Sequence, residues 1–518
     1  MDMFIKMAML VVFFGVMIFV GLYCRKHSTD VNGFVLGGRN VGPWLTAFAY
    51  GTSYFSAVVF VGYAGQFGWK YGIAATWAGI GNALLGSLLA WAVLGRRTRI
   101  ITQHLDSATM PQFFEKRFGS EKLKIAASFI IFIFLIPYTA SLYNGLSRLF
   151  AMAFDIDYSY CVIGMAVLTG IYVIAGGYMA TAINDFFQGI IMIIGIIAVI
   201  AAVLNNNGGF LESLSKLGEV TDATVSETPG VFASFFGPDP VNLLGVVLLT
   251  SLGTWGLPQM VQKFYAIKSE KAINKGMIIS TLFAAVVAGG CYFLGGFGRL
   301  YSDKIDIATG GYDSIIPTML ADLSPLLIAV VVILVLSASM STLSSLVLTS
   351  SSTLTLDFIK GKLAKNMSEK NQLLIMRLLI VVFIAISVVI AIVQYNTNVT
   401  FIAQLMGISW GALAGAFLAP FLYGLYWKRV TKAAVWVNFI FSTVVMIANI
   451  FFGSYFPAVL RSPINAGTFC MIAGLVIVPI VSIITKAPEK DFIYNIFNCY
   501  DRKVIVSAKH SIDLEEEN

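Results

Sequence analysis

Charge is scarce in this chain. Asp, Glu, Lys and Arg make up 12% of its 518 residues, against 58% hydrophobic residues. Soluble domains carry about twice that share of charge, so a water-exposed surface wrapped around one core is excluded. Cysteine is sparse too: Cys24, Cys161, Cys291, Cys470 and Cys499 are scattered, odd in number and without a close pair. That pattern argues against a disulfide framework or a zinc site. The three histidines, His27, His104 and His510, fall in expected loops or tails and form no metal constellation. No P-loop, low-complexity segment, or paired carboxylate or His/Asp cluster occurs inside the apolar runs, so the chain is expected to be no enzyme.

What is present is length without charge. Runs of about twenty apolar residues recur along the chain, each enough to cross a hydrocarbon core of ~30 Å. Alternating ten-residue segments, the mark of a membrane β-barrel, are absent. The chain reads as an all-α polytopic membrane protein of about thirteen spans, near 3–23, 44–67, 74–94, 125–154, 161–175, 186–204, 241–261, 277–297, 326–356, 373–393, 401–427, 434–452 and 469–484. The first run lacks a small-residue cleavage site and ends in Arg25-Lys26, so it is expected to be a retained helix.

The connections carry an orientation signal. Arg25-Lys26, Arg96, Arg97, Arg99, Lys116, Arg117, Lys122 and Lys124 fall on one side of the expected layout. With them go Lys263, Lys268, Lys271, Lys275, Lys360, Lys362, Lys365, Lys370, Lys428, Arg429, Lys432 and the 486–518 tail. The opposite connections hold few cations: Lys70, Lys216, Arg299, Lys304 and Arg461. Loop cations mark the cytoplasmic side, which places the N-terminus outside and the C-terminus inside a plasma (inner) membrane. The net charge of +7 is thereby a topology signal, and no nucleic-acid partner is expected. Arg148, near the outer end of a long span, is expected to snorkel to the interface.

The ten middle spans divide into two sets of five, and an odd number per set means that the second set enters from the opposite side. The first span of each set is interrupted, by Gly51-Thr52-Ser53-Tyr54-Phe55-Ser56 in one and Gly253-Thr254-Trp255-Gly256-Leu257-Pro258 in the other. Paired interruptions at matching positions of two halves point to a transporter binding site. The expected divisions are an extra N-terminal helix and loop (1–36), two repeats (37–240 and 241–432), two further helices (433–485) and a tail (486–518).

Across from the first interruption runs a hydroxyl-rich helix. Ala338, Ser341, Thr342 and Ser345 lie at i, i+3, i+4 and i+7 and share one face. Small hydroxyl residues allow close helix packing in membranes. The same stripe offers neutral oxygens to a weakly held hard cation. An unwound span is tolerated in lipid only around a polar cavity or ligand, so Gly51–Ser56 can present the carbonyls of Thr52 and Phe55. Ser341 and Thr342 would add hydroxyls, and Ala338 a carbonyl freed by a kink. About five neutral oxygens suit a monovalent ion better than calcium or magnesium, which usually demand carboxylates.

Several stretches in this order are similar to the sodium/solute symporter family, nearest its sodium/proline and sodium/pantothenate branches. They are Gly37-Gly38-Arg39, Ser53 to Ala57, Tyr138 to Ser141 through Arg148 to Phe150, Gly176-Gly177 through Asn184-Asp185 and Gln188, Gly256-Leu257-Pro258, Ala338 to Ser345, and Trp410-Gly411. The resemblance implies a LeuT-like core of two inverted five-helix repeats, with sodium held by Thr52, Phe55, Ala338, Ser341 and Thr342. By likeness to a sialic-acid branch it implies a second sodium site at Asp185, Ser341, Ser344 and Ser345. The other reading of Asp185 is an N-cap for the span beginning near Phe186. Substrate contacts implied by position are Ser56, Ala57, Tyr138, Thr254, Trp255, Gln259, Gln404 and Trp410, with core packing the competing reading for the aromatic three.

The chain also departs from the branches it resembles. Tyr54 stands where the proline branch has an aspartate, and Thr250 and Thr254 where it has aromatics. Val58 and Val59 replace the polar residues that hold sugar hydroxyls, which disfavours sugars. The expected function is sodium-coupled import of a small organic solute by alternating access. An amino acid such as proline or a carboxylate such as pantothenate leads, and sialic acid or a monocarboxylate is the alternative. Sodium would be co-transported, not a prosthetic group, and the carrier would function as a monomer in the bilayer. An ion channel is the competing class, but the sequence has no filter-like repeat.

Overall fold

The computed structural model describes residues 2–25, 29–154, 157–397 and 402–501. Arg148's side chain, His27, His510 and most of the 486–518 tail lie outside what it describes. The described chain is almost wholly helical. Its main helices are α1 (Asp2–Cys24), α2 (Pro43–Thr52), α3 (Ala64–Tyr71), α4 (Glu121–Phe154), α5 (Tyr158–Asn206), α6 (Pro240–Leu252) and α7 (Pro258–Ala266). They continue with α8 (Glu270–Gly295), α9 (Pro325–Thr353), α10 (Glu369–Thr397), α11 (Ile402–Tyr426), α12 (Lys432–Phe452) and α13 (Pro463–Ile484).

Among the described residues, eleven helical stretches are long and apolar enough to cross a membrane. Two of them, 58–104 and 158–206, run 47 and 49 residues, far more than one crossing needs. Each contains a glycine with positive φ. Gly177 (φ 55, ψ −148) breaks α5, where an added Cβ would lie 2.8 Å from the Phe34 carbonyl oxygen. Gly72 (φ 61, ψ −143) ends α3, with the Phe232 carbonyl oxygen 2.0 Å from such an atom. Only a residue without a Cβ tolerates either backbone without strain. Each of these two stretches is thus divided by a glycine.

Burial separates core helices from lipid-facing ones. In α9 every residue from Val331 to Thr353 is buried, and α11 is buried almost continuously from Ile402 to Phe421. By contrast α10 presents Leu374, Leu378, Val381, Val389 and Val393 outward, and α12 presents Ile440, Val444, Phe451 and Phe452. Apolar exposure of this extent, on helices long enough to span a bilayer, marks a membrane-facing surface. The Ser/Thr-rich stripe of α9 therefore faces protein on all sides, against α4 and α5 and across from the end of α2.

Both interruptions expected from glycine and proline are present. α2 stops at Thr52 and helix resumes only around Ala57–Val58. In the second half α6 stops at Leu252, one tight turn covers Gly253–Trp255, Leu257 is extended, and Pro258 starts α7. Proline suits that first helical position because its missing N–H would have no partner there anyway.

The long connection 205–240 is anchored from below by Arg299. Its guanidinium is buried, donates to the Trp69 carbonyl (2.6 Å) and to Asp222 Oδ2 (2.7 Å), and lies over the Phe232 ring. Hydrogen bonds from Thr224 and then from Arg299 hold the Asp222 carboxyl down to about 2. Its stabilising contribution is thus complete above the unfolded value of about 3.9 and is lost as pH falls through 2. Asp222→Asn is expected to speed amide exchange across 205–240 at neutral pH; unchanged protection would show that the anchor is unimportant.

Candidate functional site

The end of α2 sets the site. Carbonyls of a helix's last turn have no helical partner, and here side chains take them up. Thr52 Oγ1 donates to the Phe48 carbonyl (2.9 Å) and Ser53 Oγ to the Ala49 carbonyl (2.5 Å). The Thr52 carbonyl points across to α9, where it accepts from Ser341 Oγ (3.1 Å) and Thr342 Oγ1 (3.0 Å). Thr342 Oγ1 also reaches the Phe55 carbonyl inside the break (3.1 Å). Both hydroxyls lie 3.0–3.1 Å from the Ala338 carbonyl.

Five neutral oxygens, from Thr52, Phe55, Ala338, Ser341 and Thr342, thereby meet in one fully buried cluster. Oxygens around a cation held at roughly 2.4 Å stand about 3.4 Å apart in octahedral geometry, so small outward shifts would convert the cluster to an ion cage. One expectation needs correction. α9 is continuous through this region, so no kink frees the Ala338 carbonyl. It contributes instead through its second lone pair, which a helical hydrogen bond leaves available.

The N-cap reading of Asp185 is corrected as well. The helix beyond the Gly177 break starts at Tyr178 and runs on to Asn206, so Asp185 lies two turns inside it and is not an N-cap. Its carboxylate is wholly buried and neither oxygen has a hydrogen-bond partner. The serines of the same implied set lie on α9. Ser344 Oγ donates to the Ser341 carbonyl (2.9 Å), and Ser345 Oγ pairs with Ser53 Oγ (2.9 Å). Tyr172 lies near both Asp185 and Ser344 and donates to the Met340 carbonyl (2.7 Å).

Lys263, expected among the loop cations, lies in a buried helix instead. It is buried on α7, with Nζ donating to Ser345 Oγ (3.0 Å) and lying 5.1 Å from the Tyr178 ring centre. The error was one of boundary. The apolar run fades near Val261, but Pro258 starts a fresh helix, and all of α7 to Ala266 is buried. A proline followed by eight residues before the next polar connection was the signal available in the sequence.

The residues assigned to substrate fall into two groups. Tyr138 and Trp410 meet edge to face with ring centres 6.0 Å apart, beside Ser56. A Cβ added at Gly253 would touch the Trp410 ring at 2.7 Å, so this aromatic pair lies against the second interruption. Ala57 packs on Gly145 of α4, and Gln259 follows the break. The Tyr138 hydroxyl, the Trp410 indole N–H and both Gln259 amide atoms are buried without hydrogen-bond partners. Such groups cost about 1–3 kcal/mol each when left unpaired, so a polar ligand or water beside them would be favourable.

Thr254 and Trp255 are differently employed. Thr254 Oγ1 donates to the Gly86 and Ser251 carbonyls (3.0 and 2.9 Å), and the Trp255 indole donates to the Leu85 carbonyl (3.0 Å). They tie the second break to 82–89. Gln404, on the first turn of α11, is half-buried.

Known proteins share this architecture. The family model for the sodium:solute symporter family matches residues 34–441. The osmoregulated proline transporter OpuE of Bacillus subtilis is 29% identical over 483 residues, 92% of this chain and 94% of that one. A sodium/proline symporter of Staphylococcus aureus is 32% identical over 450 residues, 85% and 84% of the two chains. Among solved structures, the substrate-bound outward-open state of a Na+-coupled sialic acid symporter superposes with a TM-score of 0.74 at 17% identity, covering 94% of this chain and 99% of that one. The nucleobase-cation-symport-1 transporter Mhp1 follows at 0.52 and 13%, with 89% and 97% covered. Together with the paired broken helices, these likenesses establish the LeuT-like fold, and the chain belongs to the sodium:solute symporter family, as a sodium-coupled symporter of a small solute.

Proposed function

We propose that sodium is carried in the five-oxygen cluster between the α2 break and α9, and that it couples uptake of a small amino acid, proline first among candidates. The observation that carries this reading is the convergence of the Thr52, Phe55 and Ala338 carbonyls with the Ser341 and Thr342 hydroxyls. No carboxylate belongs to the cluster, so the ion is held weakly enough to leave inward. Sodium replaces the hydroxyl-to-carbonyl hydrogen bonds, joins α9 to the broken helix and favours the state that takes substrate. Substrate then closes the outer path, and one helix bundle rocks against the rest.

The substrate lies between the two breaks, against Tyr138 and Trp410, with Ser56, Ala57 and Gln259 around it. A solute carboxylate would use backbone N–H groups exposed where helices restart. Thr254, Trp255 and Gln404 serve that cavity at its edges. Proline is favoured because the curated relatives named above are proline carriers. The basic connections lie in the cytoplasm, with thirteen crossings, the N-terminus outside and the C-terminus inside. The carrier functions as a monomer and catalyses no chemical conversion.

Sodium-driven uptake of labelled proline, pantothenate, short monocarboxylates and sialic acid into proteoliposomes tests the assignment. Saturable, gradient-dependent proline uptake is expected. Sodium conductance that does not saturate would indicate a channel instead. Trp410→Ala is expected to raise the KM for substrate at least about tenfold through loss of a buried aromatic anchor, with little change in sodium half-saturation. An unchanged KM would remove Trp410 from the substrate site.

A further inference from the structure

A cavity of about 440 Å³ opens where α12 begins and α13 ends. The helices Met110–Phe118 and Lys490–Phe497 wall its other sides with Arg117, Phe118 and Phe492. Three cations, Arg117, Lys432 and Lys486, line it against one carboxylate, Glu489. Arg117 is wholly buried and forms no ion pair among the described residues. Its guanidinium donates to the Gly424 and Trp427 carbonyls (2.8 and 3.0 Å) and lies over the Phe118 and Phe497 rings. Those carbonyls sit at the end of α11, which supplies only about half a negative charge. Nη1 of Arg117 is buried with no hydrogen-bond partner. Buried charges are normally compensated in full, so this wall of the cavity lacks an anion.

The opposite wall offers donors. Thr431 caps α12, its Oγ1 accepting from the Ala434 N–H (3.3 Å). The N–H groups of Lys432 and Ala433, in the first turn, have no helical partner, and both residues line the cavity. The positive end of a 21-residue helix adds to them. Position then selects the anion. α12 and α13 are both long and apolar enough to cross a membrane, so their ends mark the level of lipid headgroups. The last turn of α13 exposes Ile483 and Ile484 just before Thr485 at the cavity, an apolar track for acyl chains. We propose that this cavity binds the phosphate of an anionic phospholipid, held by Arg117, Lys432, Lys486 and the start of α12. Basic pockets between spanning helices suit such headgroups. The bound lipid ties the Lys490–Phe497 helix to α12, α13 and Met110–Phe118.

Equilibrium binding of radioactive phosphatidylglycerol to the purified full chain in neutral detergent tests this, with phosphatidylcholine and inorganic phosphate as comparison probes. The wild type is expected to hold one phosphatidylglycerol saturably and phosphatidylcholine far more weakly. Lys432→Gln combined with Lys486→Gln should weaken phosphatidylglycerol binding about 30-fold. Both lysines are exposed, and the pair leaves Arg117 in place, so the variant is expected to fold. Lys268→Gln combined with Lys271→Gln removes the same charge from exposed positions outside the cavity and should change nothing. Equal affinity in the wild type and the Lys432/Lys486 variant, equal weakening by the control pair, or equal binding of phosphatidylcholine would overturn the proposal. Saturable inorganic phosphate, lost in the Lys432/Lys486 variant, with no phosphatidylglycerol bound would overturn the lipid and assign the cavity to a soluble phosphate.

Discussion

Ser341→Ala combined with Thr342→Ala is expected to abolish sodium-driven uptake while leaving the protein folded in the membrane. The two hydroxyls are the α9 side-chain half of the oxygen cluster, and they make the hydrogen bonds from α9 to the Thr52 and Phe55 carbonyls. Hydrogen-bond-scale interactions with a charged group contribute about 1.5–3 kcal/mol each. Losing two therefore weakens sodium binding by roughly 100-fold or more. Stability should change little, because alanine suits a helix interior and the cavity left by two hydroxyls is small. Each single substitution is expected to shift sodium half-saturation by about tenfold or more. Normal uptake by the double variant at matched membrane abundance would refute the site.

Gly295→Ala is expected to act on the fold itself. α3, the helix following the first break, crosses α8 so closely that two glycines face each other. A Cβ at Gly295 would lie 2.1 Å from the Ala64 carbonyl oxygen, and one at Gly68 would lie 1.9 Å from the Gly295 carbonyl oxygen. The opposing atoms are backbone, so no side-chain rotation relieves the clash. Carbon contacts are comfortable from about 3.5 Å, which would force the helices apart by roughly 1.5 Å. Overpacking of this kind costs about 3 kcal/mol, and separation here would also carry α3 away from its position beside the first break. Gly289→Ala on the same helix is the control, since its added Cβ meets nothing within 4 Å. Thermal unfolding of purified protein should show a lowered transition for Gly295→Ala and none for Gly289→Ala. Equal transitions would mean that the helices do not approach as described.

Glycine and proline made much of this architecture readable. They place both interruptions, because residues that break helices inside apolar spans announce unwound backbone, and the structure breaks at those positions. The stripe Ala338, Ser341, Thr342 was also readable, since helical spacing puts all three on the face that meets Thr52. Where hydropathy faded into polar residues, the reading failed. Lys263 was taken for a loop cation because a charge next to Lys268 and Lys271 looks like a loop, and nothing local reveals that α7 is enclosed by other helices. The cap reading of Asp185 fails because it starts the span one residue later, whereas the turn is at Gly177. The burial of these two residues is a tertiary fact. They are 78 positions apart in sequence, and no periodicity relates them.

The hydroxyls of α9 connect to both breaks. Ser341 and Thr342 address the first break directly, while Ser345 addresses it through Ser53 and accepts from Lys263. One helix thus joins the first break to the buried ammonium of α7.

Equilibrium binding of radioactive sodium to the purified protein, with and without the Ser341→Ala and Thr342→Ala pair, is the most direct test of the central claim. Saturable sodium binding in the wild type, weakened about 100-fold or more in the double variant, is what the five-oxygen cluster predicts. Equal sodium affinity in the two proteins would contradict it.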